Sequence, residues 1–507
     1  VTALLDKRII LTAYNKIVSL VEKAENSEIE KVQAISSVDA QDLLDVLFSA
    51  ADEKETGPVA SGIAASPGAA TGKLCLSVDA VLDTVDAGQE AIMIAMETGP
   101  EDEPGMRWSS GIATAHGGLA SHAAIYSRGL GLPAVCGITE LEVRGSSIVI
   151  GDVTINEGEE ISINGTTGEI YSGELEISEA EAPAELDSLL NWCDQARNDF
   201  LGVRANADTA EEAAEGVKAG ADGIGLCRTE HMFLGERLPV IRKVLQAKTT
   251  ADQESALSEL IEIQTQDFVS VLEPMDSKPV TIRLLDAPLH EFLEDSHEQN
   301  PMLGLRGIRL ALVTENLYRA QTRAVISAVK QRLKASGDPI VEIMVPLISI
   351  KEELETILSW IREETTESPI NIPLGTMIET PRAALIAGDL AQLVDFLSFG
   401  TNDLTQMTYG FSRDDVEATV IQKYIEMGIL NESPFAELDI FGVGELIQQA
   451  ISRSKETNPK IKIGICGEHG GDPNSIRFLV KAGVNYVSCS PPRIPIARLV
   501  GAQEVTK

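Results

Sequence analysis

Only six histidines occur in the 507 residues. One of them, His122, sits in the stretch GGLASHAAIYSRGLGLPAVCG, just after a Gly-Gly pair and Ser121. The Ala-rich run that follows reads as a helix start, where unpaired backbone N–H groups and the positive end of the helix dipole gather. A ring nitrogen there is well placed to carry something negative, and phosphate is the usual candidate; a capping or packing histidine is the structural alternative. A second set of groups lies far along the chain. Glu379 and Asp403 end two successive apolar runs, with Asn402 beside them, so their carboxylates should be neighbours. Two hard oxygen ligands with room for waters and an oxyanion fit Mg²⁺ better than zinc. Arg283 and Arg306 are anion clamps, because a guanidinium fork binds carboxylate or phosphate through two parallel hydrogen bonds. Asp286, three residues after Arg283, offers that arginine a structural partner instead. Gly400 and Thr401 precede Asn402 in a turn whose N–H groups could face an anion. Cys466, in GICGEHGG, could as a protonated thiol give a proton to a carbanion or enolate, or be a plain core cysteine. A metal-and-arginine site for a phosphorylated small anion, together with a distant histidine, suggests phosphoryl relay through a phosphohistidine.

These groups need a scaffold that converges them. From about residue 201, eight short apolar runs alternate with longer helical patterns: GVRANAD, GIGLCRTE, VTIRLLD, VEIMVPL, IPLGTMIE, FLSFGTND, IKIGICGE and NYVSCSP. This alternation predicts a (β/α)8 barrel. Nearly every run ends in polar groups: Arg228-Thr229-Glu230, Arg283 and Asp286, Glu379, Asn402-Asp403, Cys466 and Glu468, Ser488 and Ser490. Barrel active sites lie at the C-terminal ends of the strands, so these side chains should share one mouth. Upstream, residues 1–55 read as a helical segment with apolar residues at helical spacing. Residues 56–176 show short β-type runs between Gly-rich turns, a small α/β domain carrying His122. A polar break, DEKETGP, separates the two. Residues 177–200 read as linker and helix; the acidic stretch SGELEISEAEAPAE could reach roughly 40 Å if extended. The fold class expected is α/β, with the barrel over residues 201–507.

Charge narrows the partners. With 41 Lys+Arg against 78 Asp+Glu, the net charge is −37, and nucleic-acid binders need a basic face, so nucleic acid is excluded. No apolar run is long enough to span a bilayer and the N-terminus has no signal-peptide layout, which leaves the cytoplasm as the expected compartment and no membrane partner. The six cysteines form no C-x-x-C pair, against a zinc site or disulfide framework and for free thiols in a reducing compartment.

The motifs GGLASHAA, GIGLCRTEHMF, TIRLLDAPLHEFL, NPMLGLRG, GTMIETPRAAL, SFGTNDLTQMTYGFSRDD, GICGEHGG and YVSCSPPRIPIARL resemble those of the phosphoenolpyruvate-utilising family. GLCRTEHMF and GICGEHGG look like its dikinase branch rather than sugar-transport Enzyme I or the synthase branch. The resemblance implies that His122 is the phosphorylated residue, that Arg283 and Arg306 bind phosphoenolpyruvate or pyruvate, and that Glu379 and Asp403 hold Mg²⁺. It further implies that Gly400, Thr401 and Asn402 contact substrate, that Cys466 protonates the pyruvate enolate, and that Arg228 and Arg413 are secondary anion contacts. A swivelling His domain and a homodimer formed through the barrel are implied as well. The chain departs from the pattern in three places. No counterpart of the family's large N-terminal ATP-grasp domain is recognisable, so only the barrel half-reaction is expected, with a separate nucleotide-binding or phosphocarrier protein as partner. Ala120 stands where many dikinases carry a regulatory threonine, and His116 stands where the family places an arginine. Two alternatives follow: a phosphoenolpyruvate–protein phosphotransferase, or a non-catalytic homologue that binds phosphoenolpyruvate.

Overall fold

The computed structural model of the chain describes residues 3–51, 57–99, 102–118, 121–178, 180, 182–233, 237–293, 298–314, 316–416 and 420–507. The polar break at 52–56 and Ala120 lie outside the described residues. Two compact units form. One combines residues 1–199 with 411–436 and 498–507, and the other combines 200–410 with 437–497.

The second unit is a closed barrel of eight parallel strands. In chain order these are β1 (Gly202–Asn206), β2 (Ile224–Arg228), β3 (Pro279–Arg283), β4 (Ile340–Val345), β5 (Leu374–Ile378), β6 (Phe396–Phe399), β7 (Lys462–Ile465) and β8 (Tyr486–Cys489). Each pairs with the next and β8 returns to β1, so each expected apolar run is a strand. Purely parallel strands with helices outside are buried on both faces, which is why they read as short continuous apolar runs rather than alternating ones.

The barrel interior has two layers. Near the strand starts, Arg204 of β1 donates to Glu342 of β4 (Nη1–Oε2 2.6 Å) and to Thr281 of β3 (3.1 Å). Thr281 donates to the same carboxylate at 2.7 Å, and Lys462 of β7 reaches it at 3.2 Å. The Arg204 guanidinium also lies 4.3 Å from the ring centroid of Tyr486. Above this charged plug, Leu226, Met344, Met377, Phe396 and Cys466 form an apolar layer. The Tyr486 ring fits only because β7 has glycine at 464: a methyl group there would come within 2.0 Å of the ring. Gly464→Ala is therefore expected to destabilise the protein by about 1–3 kcal/mol, the usual cost of overpacking, read as a lower denaturant midpoint.

In the first unit, an eight-stranded mixed sheet supports the helix that begins at His122. Its central strands Ala69–Cys75, Ala91–Ala95, Gly111–Thr114 and Ala134–Cys136 run parallel, and antiparallel strands flank them. Strand periodicity sends Ile92 and Ile94 to one face and Ala91 and Met93 to the other. On the first face pack Leu141, Ile148, Ile150 and Ile155 of a separate three-stranded sheet. On the second pack Val81, Met106, Ala123 and Ala124 from three helices, Val78–Asp86, Glu103–Trp108 and His122–Leu130. Helices Ala3–Glu25, Lys31–Ser37 and Ala40–Leu47 precede this sheet. Part of the acidic stretch is structured: Ile177–Ser178 pairs with Ala50–Ala51, and the Leu175 N–H donates to Ser162 Oγ at 2.9 Å. The C-terminal segment is tied in by Arg498, whose Nε and Nη2 hold Asp194 at 3.0 and 2.6 Å, and by Gln503, which donates to the carbonyls of Ile35 and Val38. No helix among the described residues is long and apolar enough to cross a membrane.

Candidate active site

The barrel sequence places a carboxylate just past three of its strands. Asp286 follows β3, Glu379 follows β5, and Asp403 lies in the first turn of helix α1 (Thr401–Tyr409) after β6. One oxygen from each lies within 4.8 Å of the others. Glu379 and Asp286 are fully buried. Burial, then the charges of Asp286 and Asp403, push the Glu379 carboxyl well above its usual range. Burial alone would raise Asp286 too, but Arg306 and Arg283 outweigh it and hold that carboxyl low. Three converging hard-oxygen donors that repel one another are a fitting seat for a divalent cation. The sequence offers Asp286 both as a partner of Arg283 and as one of the polar strand ends expected at the mouth, but not as a third member of the Glu379–Asp403 pair.

The arginines are laced into this acidic cluster. Arg306 grips Asp286 with a double hydrogen bond (Nε–Oδ1 and Nη2–Oδ2, both 2.9 Å) and approaches both oxygens of Asp403 at 3.3–3.4 Å. Gly307, at φ +54°, follows it, and a methyl group there would come within 2.8 Å of Asp286 Oδ1. Arg283 is ion-paired with Glu230, past the end of β2, and with Asp286 (Nη1–Oδ2 3.2 Å). Its buried Nε has no hydrogen-bond partner among the described residues. Arg228 ends β2; its N–H donates to Asp208 at 2.5 Å, and Nε lies 3.4 Å from the same carboxylate. His231 also holds Asp208, at 2.8 Å.

The loops after β6 and β7 clamp together. Gly400 to Asn402, expected as a turn, form the N-cap and first turn of α1, so their N–H groups are those a helix leaves unpaired at its start. The Glu468 N–H donates to Asn402 Oδ1 at 3.1 Å. Thr401 Oγ1 lies 2.7 Å from His469 Nδ1, and the Thr401 and His469 side chains are fully buried. A methyl group at Gly400 would strike Met377 Sδ and Glu379 Oε2 at 2.7 and 2.8 Å. Glu379 also accepts from the Leu347 N–H at 2.5 Å. Cys466 follows β7, buried, and burial pushes its thiol up to about 11. At neutral pH the sulfur therefore keeps its proton.

His122 belongs to the other unit. It is the first residue of its nine-residue helix, behind Ser121, whose hydroxyl caps the helix by accepting from the Ala124 N–H at 3.3 Å. Its Nδ1 lies 3.3 Å from Thr98 Oγ1, its Nε2 lies 3.4 Å from Glu103 Oε1, and the ring stacks against Tyr126. A quarter of the side chain is exposed, so the ring is oriented yet open. Thr98 and Glu103 were missed in the sequence because they lie about twenty residues upstream, on a different loop and helix. His116 is exposed, its N–H bonded to the Met96 carbonyl. Arg413 also belongs to this unit, buried with its guanidinium 5.3 Å from the ring centroid of Phe435.

Known proteins share this arrangement of sequence. A family model described as "PEP-utilising enzyme, PEP-binding domain" matches residues 185–505, and one described as "PEP-utilising enzyme, mobile domain" matches residues 87–168. Pyruvate, phosphate dikinase of Clostridium symbiosum is 41% identical across 98% of this chain and 60% of its own length. The proteins of that name from Rhizobium meliloti (strain 1021) and, as a chloroplastic form, from Arabidopsis thaliana are each 43% identical across 88% of this chain. The chain spans between half and three fifths of these relatives' lengths, 50% to 60%. With more than half of its residues matched by the phosphoenolpyruvate-binding domain, the chain belongs to the family of PEP-utilising enzymes.

Proposed function

We propose that this chain performs the phosphoenolpyruvate/pyruvate half of a pyruvate, phosphate dikinase-type reaction, through a phosphohistidine at His122. The observation that carries the reading is the barrel mouth, where a carboxylate trio, two arginines and a protonated thiol come from the segments that follow β3, β5, β6 and β7. Glu379 and Asp403 would hold Mg²⁺, with Asp286 as a further oxygen donor. When bound, the cation would offset the charge that develops on a three-carbon phosphorylated anion. Arg306 and Arg283 bind the anion's carboxylate and phosphoryl oxygens, with the unpartnered Arg283 Nε as one donor. Gly400, Thr401 and Asn402 line the substrate through the start of α1, and Arg228 serves as a secondary anion contact.

In the direction of pyruvate formation, a ring nitrogen of His122 bonds to phosphorus as the bond from phosphorus to the enol oxygen breaks. The enolate takes the Cys466 proton at C3, and the electron pair left on sulfur regains a proton from water. Pyruvate phosphorylation is the reverse. Completing an ATP-dependent cycle would need a nucleotide-binding module, and passing the group onward would need a phosphocarrier protein; a homodimer formed through the barrel and a cytoplasmic compartment complete the reading.

Incubation with Mg²⁺ and ³²P-labelled phosphoenolpyruvate should place acid-labile label on His122 and release pyruvate. His122→Ala should lose the label while still binding phosphoenolpyruvate. Binding without label or pyruvate in the unaltered protein would instead show a non-catalytic homologue.

A further inference from the structure

A cavity of about 380 Å³ opens at the C-terminal ends of β1 and β2, lined by none of the carboxylate trio. Its walls come from the segment after β1, the turn His231–Phe233 after β2, Arg237, and helix Thr250–Leu272. The volume lies within the range of about 300–1,000 Å³ usual for small-molecule pockets. Two lining cations keep donors free. Arg237 pairs with Asp267 through Nη1, and His231 meets Asp208 through Nδ1, so the rest of that guanidinium and His231 Nε2 have no partner among the described residues. Both side chains are open to solvent, 45% and 37% exposed. Two lining carboxylates are short of donors. Asp267 Oδ2 is buried with no partner among the described residues, and the exposed Glu211 has none there either.

Both signs in one cavity select the ligand. A multiply charged anion such as phosphate would meet Asp208, Glu211 and Asp267, whereas a simple amine would meet Arg237 and His231. A molecule with one carboxylate and one ammonium satisfies both sets through charge-assisted hydrogen bonds, and Met232 offers its side chain an apolar contact. We propose that this cavity is an effector site for a neutral α-amino acid, whose carboxylate sits on Arg237 and His231 and whose ammonium sits on Glu211. Asp208 links the site to the barrel mouth, because its Oδ2 lies 2.8 Å from His231 Nδ1 and 3.4 Å from Arg228 Nε. Burial would raise the Asp208 carboxyl, but Arg228 and His231 outweigh it and hold it at about 2, so one anion serves both cations. A ligand carboxylate on His231 Nε2 favours the imidazolium and tightens its bond to Asp208. The longer contact to Arg228 then loosens, which frees that guanidinium for the substrate anion. This coupling rests on the anion-contact role proposed above for Arg228.

Saturation-transfer NMR titrations of the full chain, with L-alanine, L-valine, ethylamine and propionate as probes, test the site without turnover. One or both amino acids should bind saturably, at least about tenfold tighter than ethylamine or propionate, the two halves of the recognised group. Arg237→Ala and Glu211→Gln should each weaken that binding about tenfold, the worth of one hydrogen bond to a charged group. Glu211 is exposed, so its variant remains informative if Arg237→Ala, which also unpairs Asp267, does not fold. With the amino acid saturating, phosphoenolpyruvate should bind about fivefold tighter or more, and reciprocally so. Absence of saturable binding, either half binding as tightly as the amino acid, equal affinity in the folded variants, or phosphoenolpyruvate affinity indifferent to the amino acid would each overturn the proposal. Failure of the underlying reading looks different: phosphoenolpyruvate would then not bind with or without the amino acid, and the amino-acid titrations alone would decide the site.

Discussion

Replacing Arg306 with alanine should lower kcat/KM for phosphoenolpyruvate by about two to three orders of magnitude while tightening the binding of Mg²⁺. Both effects have one cause. Arg306 is nearly fully buried, grips Asp286 with two hydrogen bonds of 2.9 Å, and approaches Asp403. Breaking a buried pair from one side costs about 3–5 kcal/mol because a desolvated charge is left behind, and each 1.4 kcal/mol expressed in the reaction is about tenfold in rate. Losing the guanidinium also removes the fork proposed for the substrate anion, which lysine replaces poorly because it lacks the planar geometry. Arg306→Lys should fall between the two. The carboxylates of Asp286, Glu379 and Asp403, relieved of one competing cation, should attract a metal more strongly. Calorimetric titration with Mg²⁺ and steady-state turnover read the opposite signs, which general unfolding cannot mimic. Turnover near the unaltered level in the alanine variant would show that the anion binds elsewhere.

Glu342→Gln should destabilise the barrel by about 3–5 kcal/mol, since Arg204 would stay charged and buried without its counterion. A double change to well-packed apolar residues at 204 and 342 should recover most of that loss. The pH dependence has a definite sign. Burial would raise the Glu342 carboxyl, but Arg204 and Lys462 outweigh it and bring it down to about 2 from 4.5. A group whose folded value is depressed adds stability that is fully present above its unfolded value and disappears as pH falls toward the folded one. The resistance of the unaltered protein to urea should therefore fall as pH drops from about 4.5 to 2, and the glutamine variant should lack this component of the loss. An equal slope in both proteins would rule out the plug as its source.

The two predictions concern residues that differ in how far the sequence exposes them. Arg306 stands out in an irregular Gly-rich stretch, where a long charged side chain has an evident use. The eight strands were equally readable, because short apolar runs separated by helical patterns have few other solutions. Glu342 carries no such mark. In VEIMVPL it reads as one polar residue interrupting an apolar run, and its partner Arg204 lies 138 residues away. Nothing local says that both point inward from strands that are not neighbours. Asp286 was legible as a carboxylate near Arg283 but not as a member of a trio, since the other members arrive from β5 and α1. Periodicity reveals which face of an element is apolar; closure of the barrel determines which polar residues meet.

Threading has a practical consequence for anyone wishing to excise the barrel. A shortened chain begun at Phe200 would still carry residues 498–507, which belong with the discarded portion. Arg498 would lose Asp194, and Gln503 would lose the two carbonyls that anchor it. Such a truncation strands a helix end in water, so minimal versions of this protein will require resurfacing of that remnant, not merely a well-chosen start codon.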